Sequence, residues 1–431
     1  MAVVAPMDAS YVPKVLHSLT DEDEAWRKYA TNDEACVLVI YTGGTIGMVK
    51  DDDGVLKPAP GILDKRLREF PQLHDREYAK EHFGDCEKPP LVLPVTGDPR
   101  RVIYTIAEYD PLLDSSNATM DDWLQIAADI KACLLFMSIK DASKYYDSYQ
   151  GFIVLHGTDT MAYTSSALSF LLENLGKSVV VTGSQIPVFE PRSDGRDNIL
   201  NSLIVAGNYV IPEVTLMFHN QLFRGNRVSK FSISHLDAFA SFNMAPLITI
   251  GINIEITWRL ILPDPKGVDF RAHDKLNRDV GLLRLFPSIT AELVEAFLKP
   301  PIEGVVLQTY GAGNAPTARK DIMEALRSAT KRGVLILNCS QCQHGAVDPA
   351  YETGNELVDV GVIPGGDMTP EAGLTKLAYV LAKSEWTLDQ KKKKLQESLR
   401  GELTTGTGDA GWEDQYKTLN LMGPWKALFI R

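Results

Sequence analysis

Six short runs of consecutive apolar residues recur along the chain: Cys36–Tyr41, Gly151–Leu155, Ser178–Thr182, Val214–Phe218, Gly304–Gln308 and Gly333–Leu337. Each has the length of a strand and lacks the apolar–polar alternation of a strand with one wet face. That is the pattern of strands covered on both sides. Between the runs, apolar residues recur at helical spacing. Ser165–Leu175 does so and stops at Gly176, a residue suited to end a helix. Asp121–Ile130 opens with acids, which the helix dipole favours in a first turn. Asp321–Thr330 is followed by Gly333. Strand, polar loop, helix and strand in alternation predict an α/β fold: a parallel sheet with helices on both faces.

The alternation divides the chain. Residues 1–34 are polar and mixed and read as an N-terminal extension. Residues 35–257 carry the larger α/β domain, with a parallel sheet and an active site expected at the carboxyl edge of its strands. The pattern weakens over residues 258–280, where Pro263, Pro265 and Gly267 sit among charges, and this stretch reads as a linker. A smaller α/β domain, residues 281–384, begins with the run Gly281–Phe286. Residues 385–431 hold a lysine-rich helix around Lys391–Lys394 and a tail. The end of that tail, Leu419–Ile430, suits packing on its own fold or contact with a membrane surface or partner.

Composition narrows the function classes. The 431 residues are 45% hydrophobic and 23% charged, which is ordinary soluble globular usage and enough chain for two or three domains. A formal net charge of −12 repels phosphate backbones, so nucleic acid is not an expected partner. No apolar run approaches the roughly 18 residues that span a bilayer. Met1–Glu24 has no basic segment followed by an apolar core. Five cysteines, an odd number, form no disulfide framework. Together these predict a cytoplasmic protein. Cys339 and Cys342, with His344 nearby, offer at most three ligands where zinc takes four, so they are expected to be buried loop thiols and no metal is expected.

Ligands of open α/β sheets bind beyond the carboxyl ends of the strands, so the polar loops there are the candidates for chemistry. Thr42-Gly-Gly-Thr-Ile-Gly47 follows the first run and presents Thr45 after a glycine turn. It is neither a dinucleotide fingerprint nor a P-loop. His156-Gly-Thr-Asp-Thr160 follows the second run and brings Thr158 and Asp159 to the same edge. Phe223–Lys230 carries two arginines and Lys230, and Asp114-Ser-Ser-Asn117 precedes the Asp121 helix. Each has a structural alternative: a glycine pair can be only a turn, and Asp114 or Thr160 can cap a helix. Their joint occurrence, each behind a separate strand, points to hydroxyls, a carboxylate and an amine converging on a nucleophile site without histidine or metal.

Thr42–Gly47 and His156-Gly-Thr-Asp-Thr-Met161 resemble the two signature motifs of the bacterial-type L-asparaginase family, and the chain is most similar to its cytosolic type I branch, animal members in particular. The resemblance runs from about Ala35 to Trp386, through Asp194–Asp197, Arg224–Arg227 and Tyr310–Asn314. It implies a two-domain amidohydrolase that converts L-asparagine and water to L-aspartate and ammonia with no cofactor, assembled as a homodimer or homotetramer. Thr45 matches the family's nucleophile, Thr158 and Asp159 its threonine–aspartate pair, and Lys230 the lysine that joins them. Asp114 and Ser115 match the pair that holds the substrate's α-amino and α-carboxylate groups.

Two departures from the family pattern stand out. Many members carry a tyrosine in the loop after the first motif, and the matching position here is Val55. Bacterial type I members also have a regulatory asparagine pocket. Ser229, Asn314 and Cys342 match it, with Ser229 replacing a threonine, while Gln308 stands where an arginine would grip the effector's carboxylate. Losing that bidentate cation weakens carboxylate capture, so regulation does not follow from the resemblance. Competing readings are a related tRNA amidotransferase subunit, a lysophospholipid esterase and a silent amino-acid sensor. About 34 residues before Cys36 are too few for the first, and retention of Thr45, Thr158, Asp159 and Lys230 argues against the last.

Overall fold

The structure is a computed structural model that describes residues 15–16, 26, 29–95, 97–135, 149–347 and 352–405. At its centre lies strand Glu34–Gly43, all ten residues buried. It pairs in parallel with Arg101–Leu113 on one side and with Gly151–Leu155 on the other. Ser178–Thr182 and then Val214–Phe218 continue the parallel array. Chain order therefore reverses at Glu34–Gly43, which opens a crevice at its carboxyl end. Cys36, Leu38 and Ile40 pack into one core with the helices Met120–Leu135 and Met161–Leu171. Val37, Val39 and Tyr41 pack into another with Gly195–Asn208. The period-two alternation of a strand sends neighbours to opposite faces, and both faces here are covered.

The expected parallel sheet is only the middle of what forms. Among the described residues the sheet has ten strands and is mixed. Val214–Phe218 turns directly into Gln221–Arg224, antiparallel, through His219 and Asn220 at φ 46° and 63°. Two residues at positive φ suit a tight hairpin, whereas a parallel return needs a dozen or more residues. Ile248–Ile250 and Ile254–Ile256 extend this antiparallel flank, and Leu91–Val92 and Val15–Leu16 pair antiparallel with Arg101–Leu113.

The second domain is a four-stranded parallel sheet of Val280–Arg284, Gly304–Thr309, Leu335–Ser340 and Ile363–Pro364. Helix Lys320–Lys331 packs its apolar side on one face, and Pro370–Ala382 covers the other. Pro370–Ala382 also packs on Met161–Leu171 of the first domain, with Phe170 and Tyr379 stacked at 5.8 Å.

Several elements shift from their expected bounds. The helix expected over Ser165–Leu175 starts at Met161 and ends at Leu171. Leu172–Glu173 leaves it to pair with Arg271–Ala272, and Asn174, at φ 56°, makes the left-handed turn expected of Gly176. Gly333, at φ 98°, belongs to a turn, so the strand expected to begin there starts at Leu335. The stretch read as a linker holds the turn Trp258–Leu260 and the strand Arg271–Ala272.

The lysine-rich helix is present as Leu388–Gln396, opened by a reciprocal capping box between Thr387 and Gln390. The Leu419–Ile430 tail lies outside the described residues. Beyond the helix, Glu402 pairs with Lys376 at 2.6 Å, and neither side chain is exposed. Burial works against charging Glu402. Lys376 and the N–H groups of Leu399 and Arg400 nevertheless hold its carboxyl below the usual range. Removing one partner of such a pair strands the other charge in the core. Glu402→Ala is expected to lower the unfolding free energy by about 3–5 kcal/mol in urea titration.

Candidate active site

Three loops leave the carboxyl ends of Glu34–Gly43, Arg101–Leu113 and Gly151–Leu155, and glycines let them touch backbone to backbone. A Cβ on Gly43, at φ 135°, would lie 2.2 Å from the Leu113 carbonyl oxygen. One on Gly44, at φ 92°, would lie 2.4 Å from the Gly157 nitrogen, and one on Gly157 would lie 2.3 Å from Ser115 Oγ. At Gly43 and Gly44, where the obstacle is backbone and φ is positive, no other residue fits, while at Gly157 the obstacle is the Ser115 side chain. Thr42 Oγ1 donates to the Leu155 carbonyl at 2.9 Å and Thr160 Oγ1 to the Ser115 carbonyl at 2.7 Å, tying the loops together. The cleft therefore gathers Thr45, Asp114, Ser115, Thr158 and Asp159 from three strands. Thr45, half-buried, opens the short 3-10 turn Thr45–Gly47.

Lys230 arrives from farther along the chain, on the short strand Ser229–Lys230 that pairs with Phe239–Ala240. Its Nζ donates to Thr158 Oγ1 at 2.8 Å and to Asp159 Oδ1 at 2.9 Å. The lysine side chain is 15% exposed, the aspartate 64%. Gln185, not singled out from the sequence, completes the group. Thr158 Oγ1 donates to its Oε1 at 3.2 Å, and its Nε2 donates to the His235 carbonyl at 3.2 Å. Gln185 sits in the loop after Ser178–Thr182, at the same sheet edge, so the strand-end rule that found the other loops would have found it too. Asp194 anchors that loop by accepting from the N–H groups of Gln185 and Ile186, both at 3.0 Å.

His156 stands outside the chemistry. It is fully buried, with Nδ1 2.7 Å from the Gly157 carbonyl and Nε2 3.0 Å from the Thr164 hydroxyl. The carbonyl can only accept, which assigns the proton to Nδ1. Burial pushes the ring below its ordinary pKa, so it stays neutral. Asp114 does not cap the helix after it. Its carboxylate accepts from Ser116 N–H at 3.1 Å and Ser116 Oγ at 2.8 Å, capping the short turn Ser115–Asn117. Asp122 instead accepts from Thr119 N–H at 2.7 Å. Thr160 precedes Met161–Leu171 without a side-chain capping bond. Val55, 54% exposed, lies where the hairpin Met48–Lys50 and Leu56–Pro58 turns, and it brings no hydroxyl.

A second pocket of about 190 Å³ lies between the domains, and Ser229, Gln308 and Cys342 line it together with Lys230, Arg284 and Glu371. Ser229 Oγ donates to Glu371 at 3.0 Å, and burial pushes that carboxyl up. Asn314 closes its own turn with Tyr310, through N–H to carbonyl bonds of 2.9 and 2.7 Å. The expectation of two buried thiols holds for one. Burial pushes the Cys339 thiol up to about 12, while Cys342 is exposed. Leu335–Ser340 carries Cys339 into the core before the chain turns out at Ser340. Among the described residues no group of three or more His, Cys, Asp or Glu side chains could hold a metal.

Residues 36–262 match the family described as Asparaginase, N-terminal, and residues 279–394 match the Glutaminase/Asparaginase C-terminal domain. The chain belongs to the asparaginase family. It is 50% identical over 378 residues to an L-asparaginase of Dirofilaria immitis, covering 88% of this chain and 62% of that protein. It is 46% identical over 375 residues to the human 60 kDa lysophospholipase, covering 87% and 62%. The chain thus spans less than two thirds of the length of these relatives. The crystal structure of L-asparaginase I from Vibrio cholerae superposes with a TM-score of 0.72 at 42% identity, covering 86% of this chain and 100% of that one. The contact of Gly44 with Gly157 joins the loops Thr42–Gly47 and His156–Met161. Gly44→Ala is expected to destabilise the protein by about 1–3 kcal/mol, read in urea titration, because a left-handed alanine would meet the backbone of Gly157.

Proposed function

We propose that this chain is an L-asparagine amidohydrolase, releasing L-aspartate and ammonia with Thr45 as nucleophile. The observation that carries this reading is Lys230, bonded to both Thr158 and Asp159 at the cleft into which Thr45 is folded. The membership in the asparaginase family and the L-asparaginase names of close relatives support it.

In this reading Asp114 and Ser115 hold the substrate's α-amino and α-carboxylate groups, which aims the side-chain amide at Thr45. Thr45 Oγ attacks the amide carbon, its proton passes to the departing nitrogen, and ammonia leaves an aspartyl ester on Thr45. Water attacks that ester, its oxygen bonding to the acyl carbon while one of its protons goes to Thr45 Oγ1, which frees L-aspartate and restores the hydroxyl. An alcohol is a weak nucleophile at neutral pH, so the alkoxide needs help. Lys230 donates to Thr158 and Asp159 in the resting geometry, and Thr158 donates to Gln185. Thr158 can orient the attacking water once its hydroxyl turns from Gln185. Lys230 supplies positive charge beside the developing anion, and serves as a base only after giving up its proton. Val55 brings no hydroxyl to either role. Self-association as a homodimer or homotetramer and a cytoplasmic location belong to the same proposal. Among the described residues no helix is long and apolar enough to cross a membrane.

Ammonia release from L-asparagine, from micromolar to tens of millimolar, tests the reading. The wild type is expected to turn over, and Thr45→Ala to lose about 10⁴-fold or more in kcat while keeping its circular-dichroism spectrum. Lys230→Met is expected to lose about 10²–10⁴-fold. No ammonia from folded wild type at any concentration would overturn the proposal and favour a silent amino-acid sensor. Fatty-acid release from lysophospholipid without ammonia would favour the activity in the human relative's name. A hyperbolic velocity curve throughout would remove the Ser229–Gln308–Cys342 pocket as an effector site, and with it any role there for Asn314.

A further inference from the structure

Past the lysine-rich helix the chain turns back across both domains, and residues 398–404 are bonded almost one by one. Arg224 Nη1 donates to the Gly401 carbonyl at 3.3 Å, Asn226 Nδ2 to the Arg400 carbonyl at 3.0 Å, and Arg227 Nε to the Gly401 carbonyl at 2.9 Å. Gly401 sits at φ 73°, and a Cβ there would lie 2.3 Å from Arg224 Nη1. Thr404 makes the last attachment among the described residues. Its N–H donates to Asp367 Oδ1 at 2.8 Å, and its hydroxyl donates to Asp367 Oδ2 at 2.7 Å while accepting from Arg227 Nη2 at 2.8 Å. Arg227 and Asp367 pair directly at 2.7 Å, with side chains only 4% and 2% exposed.

These anchors lead straight to the cleft. Arg227 stands three residues before Lys230, and Val228 and Ser229 between them are buried. Asp367 stands four residues before Glu371, which accepts from Ser229 Oγ. The segment, the Arg227 loop and the Asp367 loop thus form a three-way joint at the foot of strand Ser229–Lys230. The Lys230 ammonium holds two partners at 2.8 and 2.9 Å, and a flexible four-carbon stem loses less freedom in doing so when the Cα it starts from is held in place. Among the described residues, no group of the first domain bonds the Arg227 guanidinium. That guanidinium is hydrogen-bonded to Gly401 and Thr404 and ion-paired with Asp367, all contributed from beyond the linker.

We infer that the segment Ser398–Thr404 positions Lys230 for the reaction, with Thr404 a positioning residue that acts through Arg227. The role in turnover rests on the amidohydrolase reading, while the placement of Lys230 can be read without it. Thr404→Val keeps the shape and removes both hydroxyl bonds, and Thr404→Ser restores the hydroxyl. In the full-length protein, Thr404→Val is expected to lower kcat for asparagine about ten-fold with KM within about two-fold, and to shift the pH profile of kcat. Acetylation of Lys230 by acetic anhydride, followed by peptide mass spectrometry, is expected to run at least about three-fold faster in the variant, since a released lysine meets the reagent more often. Thr404→Ser is expected to recover both. Unchanged kcat and unchanged Lys230 acetylation in Thr404→Val would overturn the inference, even with a lower melting temperature, because a segment that only staples the domains would move stability alone. Should the wild type release no ammonia, the amidohydrolase reading falls and the acetylation comparison still decides the placement of Lys230. If Thr404→Val does not fold, Thr404→Ala, which keeps the N–H bond to Asp367, is read in the same way.

Discussion

Everything in the cleft depends on how closely three backbones approach one another. Gly43 lies against Leu113, Gly44 against Gly157, and Gly157 against Ser115, at separations that leave no room for a side chain. The sheet makes this approach available by placing Glu34–Gly43 between Arg101–Leu113 and Gly151–Leu155, so that their carboxyl ends emerge side by side. The glycines then convert adjacency of strands into adjacency of functional groups. A hydroxyl from one loop, a carboxylate and a hydroxyl from the next, and an aspartate–serine pair from the third come to share one cleft.

Lys230 is held differently. It does not come from the loops that form the floor of the cleft but from a two-residue strand beside the pocket between the domains. Its ammonium bridges Thr158 and Asp159, and the neighbouring Ser229 reaches Glu371 at the start of helix Pro370–Ala382. That helix packs on Met161–Leu171, which begins where the second signature loop ends. Two helices therefore connect the floor of the cleft, the lysine and the pocket between the domains in one packed unit. Interiors packed this tightly transmit displacement rather than absorb it.

The sequence made the central strands legible because strands buried on both faces read as unbroken apolar runs, and Gly151–Leu155, Ser178–Thr182 and Val214–Phe218 stand where those runs do. The antiparallel flank was not legible. His219 and Asn220 make a hairpin by adopting positive φ, which asparagine tolerates and no pattern of apolar residues announces. The early end of Met161–Leu171 was hidden for a similar reason, since pairing of Leu172–Glu173 with residues a hundred positions away overrode local helical spacing. In the cleft, hydroxyls and carboxylates placed behind strands were visible as motifs. Gln185 stands behind a strand as well, but a glutamine carries no charge and belongs to no motif, and its partner Thr158 lies 27 residues away. The different fates of Cys339 and Cys342 turn on where one strand ends, within three residues.

The joint of Arg227, Asp367 and Thr404 also bears on what counts as a unit of this protein. Two family segments can be drawn on the sequence, each with its own sheet and core, and a boundary between them falls naturally in the proline-bearing stretch around 258–280. Physically that boundary is crossed in both directions. A buried guanidinium of the first segment is neutralised by a carboxylate of the second, and the chain that follows the second returns to cover the first. Neither half carries a complete set of partners for its own buried charges. Shuffling either half between distant relatives would therefore have to move the arginine, the aspartate and the returning segment together, which ties their evolution to one another although they lie as far as 177 positions apart in the chain.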